Sequence, residues 1–312
     1  MIRGVVLRCV SMSRQRSSRR PLRKTQKWVS ASIRRTAVEG LRAFRNRREV
    51  YRPVFVAGSM GSGTSLLAVL LAQRFDFAGI AYESALQVGY RSPLRLRKLK
   101  RYASIRAYEN VLRAANNADV AVCRESLQQL YRRVAFRPGH RTVDKAPNAT
   151  LLRVEVLMRC FPDAPFVLVI RDPVATIEGF RRKWKIFGRD TLAENIRFYA
   201  DSHRAFLDSR PALGDRVVIV EYEAIVATPD RMLDAVGECL GLRASDAQVR
   251  LEDRPNAPGK GLRGVEGGKI SVVGDANRES YGRIGVTEIE EIQAALGSLH
   301  EEMRTLSLRP SV

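Results

Sequence analysis

The chain has 312 residues, 45% of them hydrophobic, enough for a sizeable core in one large domain or two small ones. Its formal net charge of +21 is unevenly placed, because residues 1–50 hold 15 Lys or Arg against only Glu39 and Glu49. Cys9, Cys123, Cys160 and Cys239, like His140, His203 and His300, show no paired or metal-ligand spacing, and no run approaches the roughly 20 apolar residues that span a bilayer. The expectation is a cytoplasmic protein in a reducing compartment with no metal.

The basic head comes first. Gly4-Val5-Val6-Leu7 is an apolar patch broken off by Arg3 and Arg8, too short for a secretory core. Ser11–Lys27 is almost all Ser, Arg, Gln and Lys, a composition that cannot offset chain entropy by burial, so it is expected to be disordered. From Trp28 to Phe44, Trp28, Ile33, Val38, Leu41 and Phe44 recur at roughly helical spacing amid Arg34, Arg35, Arg42 and Arg45. That spacing predicts a basic amphipathic helix, to be packed on the core, left in solvent, or laid on an anionic membrane surface through residues 28–48. An Arg-rich, acid-poor start also fits an organelle transit peptide or a mis-assigned start. No specific nucleic-acid recognition is expected, since a charge run alone is non-specific.

Residues 54–65 carry the strongest local signal. Val54–Ala57 reads as an apolar strand running into a loop with Gly58, Gly61 and Gly63, and the periodicity from Leu66 to Phe75 reads as a helix. Glycines let the N–H groups of such a loop converge on an anion, and the following helix adds unpaired donors and its positive dipole end. The glycine spacing is that of a nucleotide-binding P-loop, but Thr64 stands where the phosphate-binding lysine belongs. An anion is therefore expected here, with chemistry other than ATP hydrolysis.

Further apolar, β-rich runs fall at Arg141–Val143, Phe166–Ile170 and Arg216–Val220, with helical patterns between them. This alternation predicts an α/β fold, a P-loop NTPase-like parallel sheet flanked by helices. Ligands of such sheets bind beyond the carboxyl ends of the strands. At those ends lie the glycine loop, Asp144-Lys145, Arg171-Asp172-Pro173 and Glu221-Tyr222-Glu223. Pro93–Arg133 reads as helices inserted over that edge, and the Gly-rich, basic stretch Pro255–Gly282 as a long loop. The division expected is a basic segment, 1–50, and one P-loop domain, 51–312.

In their order along the chain these pieces resemble the sulfotransferases that use 3′-phosphoadenosine 5′-phosphosulfate, in the bacterial carbohydrate-type and tyrosyl-protein-type branch. Ser62-Gly63-Thr64-Ser65 is similar to the family's 5′-phosphosulfate loop, and Asp144-Lys145-Ala146-Pro147-Asn148 to its Asp-Lys-Thr-Pro-Asn segment. Phe161-Pro162-Asp163-Ala164 leading through Phe166–Ile170 to Arg171-Asp172-Pro173 resembles the approach to the 3′-phosphate site. Tyr222-Glu223, Pro229 and Leu240-Gly241-Leu242 match the late strand and helix. The likeness covers roughly residues 51–245, with Tyr281-Gly282-Arg283 and Val286–Ile292 as a weak closing match. Two positions depart from the pattern. The basic residue expected before Ser-Gly-Thr is Gly61, and the serine expected eight residues beyond the arginine is Gly179. Thr176, Arg181, Arg182 and Lys183 are the substitutes to check.

The resemblance implies sulfuryl transfer from 3′-phosphoadenosine 5′-phosphosulfate to a hydroxyl or amine of a carbohydrate, glycolipid or other small acceptor. Gly58, Ser59, Met60, Gly61, Ser62, Gly63, Thr64 and Ser65 are then the donor-binding loop, and Arg171 the partner of the 3′-phosphate, where a planar fork suits an oxyanion. Lys145 is the candidate cation for the leaving-group oxygen and Glu83 the candidate base that deprotonates the acceptor, with Glu125 in reserve. Lys260, Arg263 and Lys269 could close over the nucleotide. The rival readings are a P-loop nucleotide or small-molecule kinase, and a non-catalytic nucleotide-binding protein of the same fold.

Overall fold

The computed structural model describes residues 37–45, 47, 50–75, 77–82, 104–135, 141–183, 188–245, 250–253, 265–266, 269–272 and 276–309. The expectations for Met1–Lys27, for Glu83 and for Lys260 and Arg263 lie outside them, and of the helix read over Trp28–Phe44 only residues from 37 on are described, as helix to residue 45. The chain divides into two compact units, residues 1–41 and 42–312. The sheet and the site belong to the second.

Five strands, β1 (Arg52–Ala57), β2 (Ile80–Tyr82), β3 (Arg141–Lys145), β4 (Phe166–Ile170) and β5 (Val217–Glu221), form one sheet in the order β2-β3-β1-β4-β5. Every pairing is parallel. The helices are α1 (Thr64–Arg74), α2 (Ile105–Ala114), α3 (Val120–Val134), α4 (Ala149–Leu152), α5 (Val154–Cys160), α6 (Pro173–Lys183), α7 (Leu192–Leu213), α8 (Tyr222–Ala227), α9 (Pro229–Leu240), α10 (Ala276–Tyr281) and α11 (Val286–Thr305). This is the expected α/β architecture, a parallel sheet covered on both faces.

The period-two alternation of the strands sorts the core into two layers. Val54, Val56, Val167, Val169, Val218 and Val220 pack with Leu67 and Leu70 of α1 and with Met232 and Leu233 of α9. Phe55, Ala57, Phe166, Leu168 and Ile170 face the other way, toward Leu127 of α3, Phe206 of α7 and Leu296 of α11. The Phe55 and Phe166 rings stack at 4.9 Å across neighbouring strands. Each such buried ring contributes about 2–3 kcal/mol, so the centre of the sheet is stiff where the loop after β1 emerges.

The inserted helices α2 and α3 are anchored in that second layer through Ile105, Tyr108, Leu112, Cys123, Leu127 and Tyr131. Gln128 makes both amide bonds to the main chain of Tyr51, at 2.9 and 2.6 Å. Tyr131 reaches the carboxyl end of β3, donating to Asp144 at 2.5 Å.

Two features differ from the sequence reading. Asp144 and Lys145 are the last two residues of β3 rather than residues beyond it. Pro255–Gly282 is not one long loop. It holds two strands of a small second sheet, β7 (Val265–Glu266) and β8 (Lys269–Val272), which join β6 (Arg250–Asp253) from just before the stretch in the order β6-β8-β7, and then α10. The antiparallel register Glu266↔Lys269 spans two residues, Gly267 and Gly268, a hairpin signal that the low apolar content of the stretch hides.

Candidate active site

The loop after β1 turns on three left-handed glycines, Gly58 (φ 146°), Gly61 (φ 91°) and Gly63 (φ 99°). Two of them are required by close approach as well as by φ. A Cβ on Gly58 would lie 2.7 Å from the Val169 carbonyl oxygen and 2.8 Å from Ser62 Oγ, and one on Gly63 would lie 2.4 Å from the Tyr222 ring. Within the loop the Ser62 amide and Ser62 Oγ both donate to the Ser59 carbonyl, at 3.1 and 2.7 Å. The helical ladder of α1 begins only at Leu67, whose N–H meets Gly63 O at 3.0 Å. The amides of Gly63, Thr64 and Ser65 therefore make no hydrogen bond among the described residues, and Gly63 supplies no side-chain cap. Unpaired donors at a helix N-terminus are an oxyanion cradle.

Asn148, from the end of the Asp-Lys-Ala-Pro-Asn segment, clamps this loop. It is fully buried and holds φ 61°, the one positive φ outside glycine among the described residues. Its N–H donates to Gly58 O at 2.9 Å and its Oδ1 accepts from the Met60 N–H at 3.2 Å. The sequence reading gave Asn148 no role, because its action depends on a backbone conformation that no pattern announces.

Lys145 closes β3 in register with Val56 of β1 and Tyr82 of β2, two residues short of the loop's first glycine. It is buried, with its Nζ 5.5 Å from the centroid of the half-exposed Tyr82 ring. Asp144 beside it is fully buried and taken up by Tyr131, whose phenol burial and the Asp144 charge push well above the ordinary range. Lys145 is thus the cation at this edge and Asp144 a structural acceptor.

Arg171 follows β4 and is buried against the loop. Its Nη1 donates to Gly61 O at 2.9 Å, its Nε to Asn277 Oδ1 at 2.7 Å, and its guanidinium carbon sits 4.6 Å from the Tyr222 ring centroid. The structure thus joins two of the predicted binding elements, the glycine loop and the arginine, through Gly61. The neighbouring carboxylates have other partners. Asp172 accepts from Ala175 N at 2.8 Å, as the start of α6, and from Tyr281 Oη at 2.9 Å. Burial and the Asp172 charge push the Tyr281 phenol up to about 12. Glu223 accepts from the Asp172 amide at 3.3 Å and from Asn277 Nδ2 at 2.6 Å.

The two departures, Gly61 and Gly179, face each other. A Cβ built on Gly179 would meet the Gly61 Cα at 3.7 Å, and one on Gly61 would meet the Thr176 carbonyl oxygen at 3.2 Å. Side-chain loss at both positions lets α6 close directly on the loop. Each of the substitutes whose side chain is described already has a partner in the protein. Thr176 is fully buried with Oγ1 3.4 Å from the Arg171 carbonyl, Arg181 pairs with Glu288 at 2.9 Å, and Arg182 with Glu178 at 2.5 Å. Glu178 also accepts from Ser280 and Arg283. Burial acts to raise its pKa, but the Arg182 and Ser280 hydrogen bonds outweigh that and hold the carboxyl below the ordinary range. Glu125 pairs with Arg132 at 3.1 Å on the exposed side of α3.

Taken together, sheet, loop and arginine define an α/β protein with unpaired main-chain amides and a guanidinium at the mouth of its first βα unit. The sequence profile of the sulfotransferase family matches residues 53–246, well over half of the chain, and the protein belongs to that family. Its enzymatic activity is accordingly sulfuryl transfer. Among solved structures, sulfotransferase STF9 from Mycobacterium avium is 13% identical with a TM-score of 0.50, covering 84% of this chain and 79% of its own. Sulfotransferase STF1 from Mycobacterium tuberculosis H37Rv is 16% identical with a TM-score of 0.49, covering 80% and 77%. At 13% identity the likeness to STF9 is one of fold. No curated protein matches the chain.

Proposed function

We propose that the protein transfers the sulfuryl group of 3′-phosphoadenosine 5′-phosphosulfate to a hydroxyl or amine of a carbohydrate, glycolipid or other small acceptor. The observation that carries this reading is the junction of two anion-binding elements, the open amides of Gly63–Ser65 and the Arg171 guanidinium, through Gly61 O at 2.9 Å. A nucleotide with an anionic group on each of the 5′ and 3′ positions of its ribose fits two such elements side by side. Ser59 Oγ adds to the fit, being buried with no hydrogen-bond partner among the described residues.

The donor brings an activated sulfuryl group whose leaving group is a phosphate oxygen. The loop amides and the Thr64 and Ser65 hydroxyls hold the phosphosulfate end, and Arg171 holds the 3′-phosphate through its remaining N–H groups. Lys145 neutralises charge on the leaving oxygen, taking the part left vacant by Gly61. Glu83, next in the chain after Tyr82, accepts the acceptor's proton. The test is turnover of labelled donor against an acceptor panel. Lys145→Ala is expected to lower kcat about 10²-fold or more with bisphosphate affinity little changed, and Glu83→Gln about 10²-fold. Unchanged turnover in both variants removes these roles, and tight Mg²⁺-dependent ATP binding in place of adenosine 3′,5′-bisphosphate binding removes the donor.

The proposed setting is cytoplasmic, with the basic head touching an anionic membrane surface. In support, Leu41 and Phe44 are exposed on helix 37–45, and the Arg47 guanidinium lies 5.1 Å from the Phe44 ring. Among the described residues no helix is long and apolar enough to cross a membrane. Sedimentation with vesicles of neutral and of anionic lipid tests the contact. Equal binding to both, or none, overturns it.

A further inference from the structure

We infer that Asn277 is a neutral spacer that keeps the Arg171 guanidinium open to an external anion by standing between it and the carboxylate of Glu223. The inference rests on the reading of Arg171 as an anion-binding group. Arg171 has carboxylates close on two sides, Asp172 next in sequence and Glu223, which bonds the Asp172 amide at 3.3 Å. An arginine fork beside a carboxylate ordinarily closes into a bidentate ion pair, and a guanidinium so paired has little left for a ligand. Here it does not close. Among the described residues Arg171 forms no ion pair, its polar partners being the neutral oxygens of Gly61 and Asn277.

Asn277 is set between the two charges with its dipole aligned to both. Its Oδ1 accepts from Arg171 Nε at 2.7 Å while its Nδ2 donates to Glu223 at 2.6 Å. The reversed amide would put NH₂ against guanidinium and oxygen against carboxylate, so the charges themselves fix the orientation. The backbone of the spacer is fixed as well. Further along α10, Ser280 donates to Glu178 at 3.0 Å and Tyr281 to Asp172 at 2.9 Å, and just beyond it Arg283 meets Glu178 at 3.0 Å. Four contacts thus hold α10 and the turn after it to Arg171, Asp172 and α6, and Asn277 alone of them touches the arginine.

A merely structural tie and a charge spacer make opposite predictions. Asn277→Asp is isosteric and keeps the acceptor for Arg171, so a tie tolerates it better than Asn277→Ala. A spacer tolerates it worse, because the introduced carboxylate both neutralises Arg171 and repels Glu223. Calorimetry with adenosine 3′,5′-bisphosphate on the full chain is expected to show Asn277→Ala weakened about threefold and Asn277→Asp about tenfold or more, the scale of one partly exposed charge pair. The Asp deficit, taken as a ratio to wild type, is expected to shrink as pH falls through the carboxylate range. Arg171, Asp172, Glu223, Tyr222 and Tyr281 surround the site in every variant, and only Asn277→Asp adds a carboxylate to them. In a Glu223→Gln background, Asn277→Ala is expected to bind within about twofold of its parent, since the carboxylate that Asn277 bonds and holds apart is gone; this arm serves also if Asn277→Asp does not fold. A wild type that takes no bisphosphate overturns the donor reading and the spacer with it. A wild type that binds, with Asn277→Asp equal to or better than Asn277→Ala, or with the Glu223→Gln background leaving the Ala cost unchanged, overturns the spacer alone.

Discussion

Between Gly58 and Ser65 the proposed anion site is made of main chain from one contiguous stretch, whereas around Arg171 it is made of side chains from the end of β4, α8 and α10 meeting across a hundred residues of sequence. The loop half owes its shape to φ angles and to close packing, with Gly63 against the Tyr222 ring and Gly58 against Val169. The arginine half owes its state to which neutral or charged group sits nearest the guanidinium. Strain and overpacking therefore break the first, and single-atom changes of charge break the second.

Substitutions can sharpen this contrast. The largest effect on anion binding is expected from Gly63→Ala, where a methyl would press on Tyr222 at φ 99°. Backbone strain and overpacking together cost about 3 kcal/mol, seen as a lower urea midpoint together with loss of bisphosphate binding. An unshifted midpoint with intact binding removes the loop geometry given above. Arg171→Lys keeps the charge but loses the fork that spans Gly61 O and Asn277, and is expected to weaken bisphosphate binding by about 2 kcal/mol with a nearly native midpoint.

The smallest effect on binding, but a clear one on stability, belongs to His203 behind the arginine half. It is fully buried, with Nδ1 2.8 Å from Tyr199 O, and burial lowers its pKa to about 4 from the ordinary 6.5, with the nearby His300 adding to the shift. The unfolded chain takes up the proton first. The contribution of neutral His203 is thus complete above pH 6.5 and is lost as pH falls toward 4, on the order of 3 kcal/mol over that window. Urea unfolding across this range is expected to be much flatter in His203→Gln, with bisphosphate affinity at pH 7 unchanged. A slope equal to wild type places the acid sensitivity elsewhere.

Much of this molecule was legible from residue order. The apolar runs at Val54–Ala57 and Phe166–Ile170, the glycine spacing and Arg171-Asp172-Pro173 are local signals, and each fell where expected because parallel strands buried on both faces need continuous apolar runs. The small second sheet stayed hidden because its strands are only two to four residues long in a Gly-rich, charged stretch. Asn148 and Asn277 stayed hidden for a different reason. An asparagine has no periodicity and no charge, so its meaning comes only from the groups that meet it.

The chain by itself set the fold class, the oxyanion cradle at the end of the first strand and the arginine at the end of the fourth, since strand patterning and the left-handed freedom of glycine are properties of neighbours in sequence. It could not set what lies against that arginine. The meeting of Gly61 with Gly179, the Tyr222 ring over the guanidinium and the amide between Arg171 and Glu223 bring together residues up to 118 positions apart. Such contacts arise only once the packed sheet and its helices carry distant segments to one edge.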